Sequence, residues 1–518
     1  MKINSWSLIQ AGVRNAAPMA LLAVMALVLS ATVLQAQTFT VLTNFPDLSG
    51  SPPTNQNGGE PDPTLVLSGN TLYGLATYGG TNGDGTLFSV NTDGAGYTVL
   101  DTFQFTEGNS PGGLLLSGSV LYGLAGAGGA SGSGSVFSLG LNGAGFSALH
   151  DFAPEGLNEQ LQYTNSDGAG PAFGLVLAGT TLYGVTVNGG TNGSGTVFSV
   201  KTDKSGFKLL HVFGPAGGAN APGGGFTTTN QDGYKPNSPL VLIRDTLYGV
   251  TSQGSTNGYG TLFSVNTNGD DFQVLHAFSA PDDSGANFDG AIGSGLAWTG
   301  SKLCGTTQSG GTNGWGAVFA VDTSGSNYIV LHTFKPASYV NSLVGDTNAD
   351  GAAPQAGLTI AGNTLYGTTS DGGTNGAGTL FSMAADGSGF TVLHTMARIK
   401  AGIWADGEFP GRLVEAGNVI YGTAFRGGPS QGNGTIFSLS LPAVQAPPFL
   451  VLAHLPGSAT LTLFWPNTAT GFVLESNPNL DNPAGWQSFQ GTIFDTNGQL
   501  AAQIEIAAGT SFFRLNHQ

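Results

Sequence analysis

Histidine and carboxylate side chains recur in this sequence at matching places, and these are residue types that bind metals or move protons. His150, His211, His276, His332 and His394 each occupy one slot of a recurring apolar segment, as in "SALHDF" and "KLLHVF". A second signature is an acid or amide, glycine, two further residues and proline. It begins at Asn57, Glu107, Asp167, Asp232, Asp350 and Asp406, with "DGAIG" at Asp289. One histidine per repeat lies too far from the next to share an ion, so the histidines read as structural. The carboxylates admit two readings. Asp-Gly forms a turn and proline opens a strand, or the acids form a ring near a channel mouth that holds a cation. "DTNADG" places oxygen ligands Asp346, Asn348 and Asp350 at alternate positions, like the first half of a calcium loop. Gly357 stands at the twelfth position, where a calcium loop carries a bidentate glutamate. The sequence therefore assigns no metal and no cofactor.

Catalytic patterns are sparse. "GGTNGDG" at Gly79 and its near-copies at Gly189, Gly310 and Gly372 are glycine-rich, as phosphate loops are. A phosphate loop needs a lysine and a helix whose N-terminus faces the anion. No Gly-Lys-Ser/Thr occurs here, and each loop runs into a strand such as "TLFSV". These glycines read as hairpin joints. "GPSQG" around Ser430 has the Gly-x-Ser-x-Gly spacing but lacks the strand-to-helix elbow that exposes a nucleophile. No catalytic residue is assigned.

Aromatic residues offer binding chemistry instead. Tyr259 and Trp315 occupy one slot of the glycine loop in consecutive repeats, and Tyr234, Tyr339 and Trp404 lie in connections between repeats, with Phe226 and Phe288. Flat rings beside Asn and Asp suit a sugar, stacking on its apolar face while amides read its hydroxyls. The competing reading is that these rings pack their own loops.

The elements that must position these residues are repeated too. Leu-Tyr-Gly centres on Tyr73, Tyr122, Tyr183, Tyr248 and Tyr366, with Leu-Cys-Gly at Cys304 and Ile-Tyr-Gly at Tyr421, marking seven units. Phe103, Phe152, Phe213, Phe278, Phe334 and Met396 each follow 30 residues after a centre, so that stretch tolerates no insertion. Within a unit, four short apolar runs alternate with Gly-Asn and Asp-Gly turns, which is antiparallel hairpin chemistry. The seventh unit lacks its fourth run, and an orphan copy, "TFTVLTNF", sits at Thr38 to Phe45. The expected fold is all-β: a seven-bladed β-propeller over 37–441, closed by the N-terminal strand. A proline-containing linker, 442–448, and a small β-sandwich-like module, 449–518, follow. The glycine of Leu-Tyr-Gly is expected where another backbone approaches near the axis. Cys304 reads as a buried apolar substitute for tyrosine.

The stretch "LYGLATYGGTNGDGTLFSVNTDGAGYTVLDTF" resembles the tandem GloVer repeat of exported bacterial proteins and, more loosely, kelch propeller repeats. That resemblance covers roughly 38–441 and implies an exported propeller; it implies no chemistry.

Composition bounds the partners. A formal charge of −17 repels phosphate, so no nucleic-acid partner is expected. Lys2 and Arg14, the apolar run Ala17 to Val33 and "LQAQ" resemble a secretory signal peptide over 1–36. Once that leader is removed, no transmembrane segment is expected, and the chain is secreted or held at the cell surface. One cysteine, Cys304, excludes an intrachain disulfide. The leading functional expectation is a non-enzymatic propeller that binds an extracellular glycan or protein through its variable loops. A propeller enzyme acting on polysaccharide and a purely structural surface component are the alternatives.

Overall fold

The computed structural model describes residues 9–11, 37–159, 161–220, 226–341, 345–397, 405–428, 432–441, 451–454, 460–466, 472–477, 485–496, 499–505 and 511–517. They hold β-strands and no α-helix. No helix among them is long and apolar enough to cross a membrane. The chain divides into two compact units, Ala36–Leu441 and a second made of Met1–Gln35 with Pro442–Gln518.

In the larger unit, each repeat folds as a small antiparallel sheet whose strands pair in chain order. The first comprises Asn55–Ser68, Thr71–Gly80, Thr86–Asn91 and Thr98–Thr102. Equivalent sheets run from Asn109–Ser117 to Ser147–Asp151, Ala169–Ala178 to Lys208–Val212, Tyr234–Pro236 to Gln273–Ala277, Ala291–Trp298 to Ile329–Thr333, and Thr359–Ala361 to Thr391–Thr395. The last sheet draws on both ends of the unit. Glu408–Pro410 and Val414–Ala416 pair with Val419–Arg426, which pairs with Thr435–Ser440, and Phe39–Asn44 forms its outer strand. Val41 lies opposite Phe437, and Phe45 N–H donates to the Gly434 carbonyl at 3.0 Å.

Leucine, valine and phenylalanine at alternate positions bury both faces of these sheets, so each apolar cluster joins neighbours. Tyr183, Val197 and Phe213 of the third sheet share a core with Leu247, Phe263 and Val265 of the fourth. Phe45, Leu65, Phe88, Tyr421 and Ile436 form one cluster between the last sheet and the first. The tyrosines of Leu-Tyr-Gly thus pack between sheets. Cys304 does the same, fully buried, with burial pushing its thiol up to about 11. The glycine after that tyrosine has a different reason from the one expected. Gly74 lies opposite Phe88, and a Cβ on it would meet the Phe88 ring at 2.4 Å. An aromatic ring of the adjacent strand covers it.

The smaller unit holds two four-stranded sheets. One is Val451–His454, Thr460–Pro466, Gln499–Glu505 and Ile493–Thr496. The other contains Ile9–Ala11, Ser511–His517, Phe472–Asn477 and Gln487–Ser488. Leu463, Trp465 and Ala502 of the first share an apolar cluster with Leu474 and Phe513 of the second.

Candidate functional site

The repeated histidines and aspartates meet each other. A bulge in each fourth strand skips one residue, such as Leu210, and brings His211 opposite Val197. Its Nε2 donates to Asp232 Oδ2 at 2.9 Å, and the aspartate belongs to the entry of the next sheet. His150–Asp167 and His276–Asp289 repeat this at 2.9 Å and His394–Asp406 at 2.7 Å, while His332 Nε2 stands 3.3 Å from Asp350 Oδ2 without hydrogen-bonding it. Each aspartate also accepts a backbone N–H from three residues past its histidine, as Gly214 N–H does for Asp232 at 3.0 Å. Each imidazole stacks on the ring that opens the next fourth strand: Phe207, Phe272, Tyr328 and Phe390 at 3.5–4.1 Å. Phe39 of the N-terminal strand stacks on His394 at 3.9 Å. These carboxylates therefore sit beside the outer strands, one per joint, and do not form a ring at a channel mouth. An imidazole with its carboxylate is two thirds of a hydrolytic triad, yet no Ser, Thr or Cys side chain bonds these imidazoles among the described residues.

The calcium-like loop is likewise committed to structure. Asn348 Nδ2 donates to the Lys335 and Gly351 carbonyls at 2.9 and 2.8 Å, and its Oδ1 accepts from Gly351 and Gly373. Asp350 accepts from Lys335 N–H at 3.1 Å. Asn165, Asn230 and Asn287 make the same clamp in other units. No group of three His, Cys, Asp or Glu side chains suited to a metal occurs among the described residues.

The glycine loop is a joint between sheets. The carbonyl of its variable residue accepts an N–H from the next unit: Ser194 from Lys235, Tyr259 from Ile292, and Trp315 from Ala353, at 3.0–3.1 Å. Those donors hold φ between 51° and 60°, and the prolines that follow Lys235 and Ala353 pack on the last glycine of the loops they cap. Gly195 has φ 93°, and a Cβ there would meet Pro236 Cδ at 2.7 Å. The shared feature of the slot holding Tyr259 and Trp315 is thus its backbone carbonyl. Both rings are half-buried, packing against the apolar clusters between the fourth and fifth and the fifth and sixth sheets respectively.

Tyr234 has a different setting. The connection into the third unit forms a hairpin, with Gly156–Leu157 against Tyr163–Thr164. Asn158 holds its turn, accepting from Gln162 N–H at 2.9 Å. Tyr163 is 63% exposed above Gly193, where an added Cβ would meet the Tyr163 carbonyl at 2.8 Å. Tyr163, Gln162, Asn188 and Tyr234 border a cleft of about 300 Å³, with Glu155 and Leu161 at its rim. Partial burial raises the Glu155 carboxyl and Tyr234 hydroxyl above their usual pKa, and Lys235 Nζ lies 5.3 Å over the Tyr234 ring. Tyr339 stands apart, 66% exposed in the hairpin Ser338–Asn341/Gly345–Thr347 and opposite Asp346. Trp404 lies outside the described residues. No ring contact joins Tyr234, Tyr259, Trp315 and Tyr339 among the described residues. Tyr163 is the ring that reading the sequence missed. Its signal was an aromatic among amides in a long connection.

A second cavity, about 550 Å³, is lined by the first strands of all seven sheets, from Leu65 and Val66 to Leu413 and Val414. Its wall is mostly Leu, Val, Ile and Ala, with Arg412 and Glu415 as charged members. Burial lowers the Arg412 guanidinium below its ordinary pKa.

No curated protein matches the chain in sequence. Among solved structures, a puromycin hydrolase is similar over 82% of this chain and 62% of its own, at 11% identity and a TM-score of 0.45. An oligogalacturonate lyase in complex with manganese is similar over 78% of this chain and 97% of its own, at 10% identity and a TM-score of 0.44. A GH74 xyloglucanase from Xanthomonas campestris is similar over 83% and 60%, at 10% identity and a TM-score of 0.42. The chain thus spans less than two thirds of the hydrolase and of the xyloglucanase. The Gloeobacter/Verrucomicrobia repeat matches twice, over residues 29–234 and 225–437, and the chain belongs to the Gloeobacter/Verrucomicrobia repeat family.

Proposed function

We propose that this chain is an exported, closed seven-bladed propeller that binds an extracellular glycan on its variable-loop face and performs no chemistry on it. Closure is supported by the Phe39–Asn44 strand in the last sheet and by the cluster joining Phe45 and Phe88 with Tyr421 and Ile436. The single cavity lined by all seven sheets supports an arrangement about one axis.

The observation that carries the binding reading is the cleft at Tyr163 and Tyr234. Two tyrosine rings offer apolar stacking surface, and the Asn188 and Gln162 side chains carry amides that read hydroxyls. Only one carboxylate, Glu155, borders the cleft among the described residues. Glycoside hydrolysis ordinarily requires two, held roughly 5–9.5 Å apart across the scissile bond. Phe288 and Tyr339 are exposed in other connections, while Tyr259 and Trp315 pack against the apolar clusters between sheets.

The test is a glycan array probed with the secreted chain, with release of reducing ends assayed on each glycan retained. Retention without release is the expected result. Release would establish the enzyme alternative, and failure to retain any glycan would leave a protein ligand or a structural role as the account of this face.

A further inference from the structure

We propose that the axial cavity is a second ligand site, built for a small organic anion: a carboxylate on an apolar body, held by Arg412. The inference is independent of the glycan cleft and starts from a departure within the repeat.

Strand register defines one slot per sheet, two residues before the partner of the tyrosine (or Cys304) in the Leu-Tyr-Gly motif. In six sheets it holds a small or cyclic residue: Thr64, Gly113, Gly174, Pro239, Gly295 or Gly357. The crowding is physical. A Cβ on Gly113 would meet Gly174 Cα at 2.5 Å, and one on Gly295 would meet Gly357 Cα at 2.7 Å. In the seventh sheet the slot holds Arg412, the largest departure the repeat makes at this position. Architecture asks for a compact residue here, and no packing contact asks for a guanidinium.

Arg412 lines the cavity yet has no hydrogen-bond or ion-pair partner among the described residues. Glu415 lies three residues further along the chain, in the strand Val414–Ala416, roughly 10 Å away at the rise of an extended chain, and no ion pair joins the two. Asp62, in the adjoining first sheet, is engaged by the Thr64 and Gly113 N–H groups instead. A half-buried cation left unpaired is a costly feature to retain. It is the natural complement of a carboxylate, which its planar fork holds with two parallel hydrogen bonds. The rest of the wall takes an alkyl or aryl body, and about 550 Å³ falls within the usual range for a small-molecule site. Phe173, the residue before Gly174, also lines the cavity and holds φ 71°, a conformation a bulky side chain rarely adopts.

Titration of the full chain with octanoate, octan-1-ol and octylammonium, followed by calorimetry, tests this. Octanoate should bind at least tenfold tighter than either of the others. Arg412→Gly, which restores the residue found in four of the other slots, should reduce octanoate binding at least tenfold, to the level of octan-1-ol. Arg412→Lys should retain part of the preference. Arg412→Gln serves as the neutral variant should the glycine form fail to fold. Absence of octanoate binding, equal binding of octanoate and octan-1-ol, or an unchanged affinity in the neutral variant would each overturn the proposal.

Discussion

If the N-terminal strand closes the ring, removing its anchor must cost as much as removing the equivalent anchor inside the chain. Phe45 is fully buried between the last sheet and the first, 5.4 Å from the Phe88 ring. Phe213 occupies the same place between the third and fourth sheets, 5.3 Å from Phe263. Truncating a fully buried phenylalanine to alanine costs about 3–5 kcal/mol in lost transfer free energy and residual cavity. Unfolding entropy near 2.1 cal/mol/K per residue over roughly 400 cooperative residues makes that a Tm drop of about 4–6 °C. Differential scanning calorimetry of Phe45→Ala and Phe213→Ala should then give equal shifts within about 1 °C. A terminal strand that only rests on the sheet would fray at little cost, because chain ends are tied down only by what they bury. A Phe45→Ala shift below about 1 °C beside a full shift for Phe213→Ala would refute closure.

Three further outcomes follow from the joints and the axis. His211→Ala removes a hydrogen bond to Asp232 and a stack on Phe272, which should cost about 2–3 kcal/mol in urea denaturation; a double-mutant cycle with Asp232→Asn should be non-additive, and additivity would separate the pair. Gly195→Ala places a Cβ 2.4 Å from the Thr186 carbonyl at φ 93° and should cost about 2–4 kcal/mol, whereas Gly179→Ala, at φ 58° with open space around it, should cost about 1 kcal/mol. Burial raises the Asp62 carboxyl from its ordinary 3.8 to about 6, so the folded state holds this proton more tightly, and stability is lost as pH rises from about 4 through 6. Asp62→Asn should therefore stabilise the protein at pH 7.5 by at most about 3 kcal/mol, and by much less at pH 4. Equal effects at both pH values would contradict the assignment.

What could be read from residues alone was whatever the backbone imposes locally. Gly195, with a strand on either side and no lysine near, could only be a turn glycine, and the structure adds that Pro236 seats on it. The His–Asp pairing was hidden because the partners lie 21 residues apart in one joint and 12 in another. Only the repeated sheet geometry brings them together. The same holds for Asp232, Asp289 and Asp350, whose Asp-Gly turns were legible while their acceptor role was not. Tyr259 and Trp315 stood out by side chain, yet what their slot repeats is a carbonyl, which no side-chain pattern exposes. Arg412 was invisible until strand register aligned it with six compact residues. Tyr163 became a candidate only when its hairpin folded over Asn188 and Gly193.

The claim that the variable face is a glycan-binding surface is tested most directly at the two tyrosines of the cleft. Both rings belong to the cleft rather than to a buried cluster, so their loss should leave thermal stability unchanged. Each stacking ring should contribute roughly 1 kcal/mol, by analogy with aromatic pair energies, and 1.4 kcal/mol is tenfold in affinity. Calorimetric titration of a Tyr163→Ala/Tyr234→Ala double variant with the best-retained neutral oligosaccharide should then show binding weakened about 30-fold at an unaltered Tm. An affinity equal to that of the unmodified chain would contradict the account.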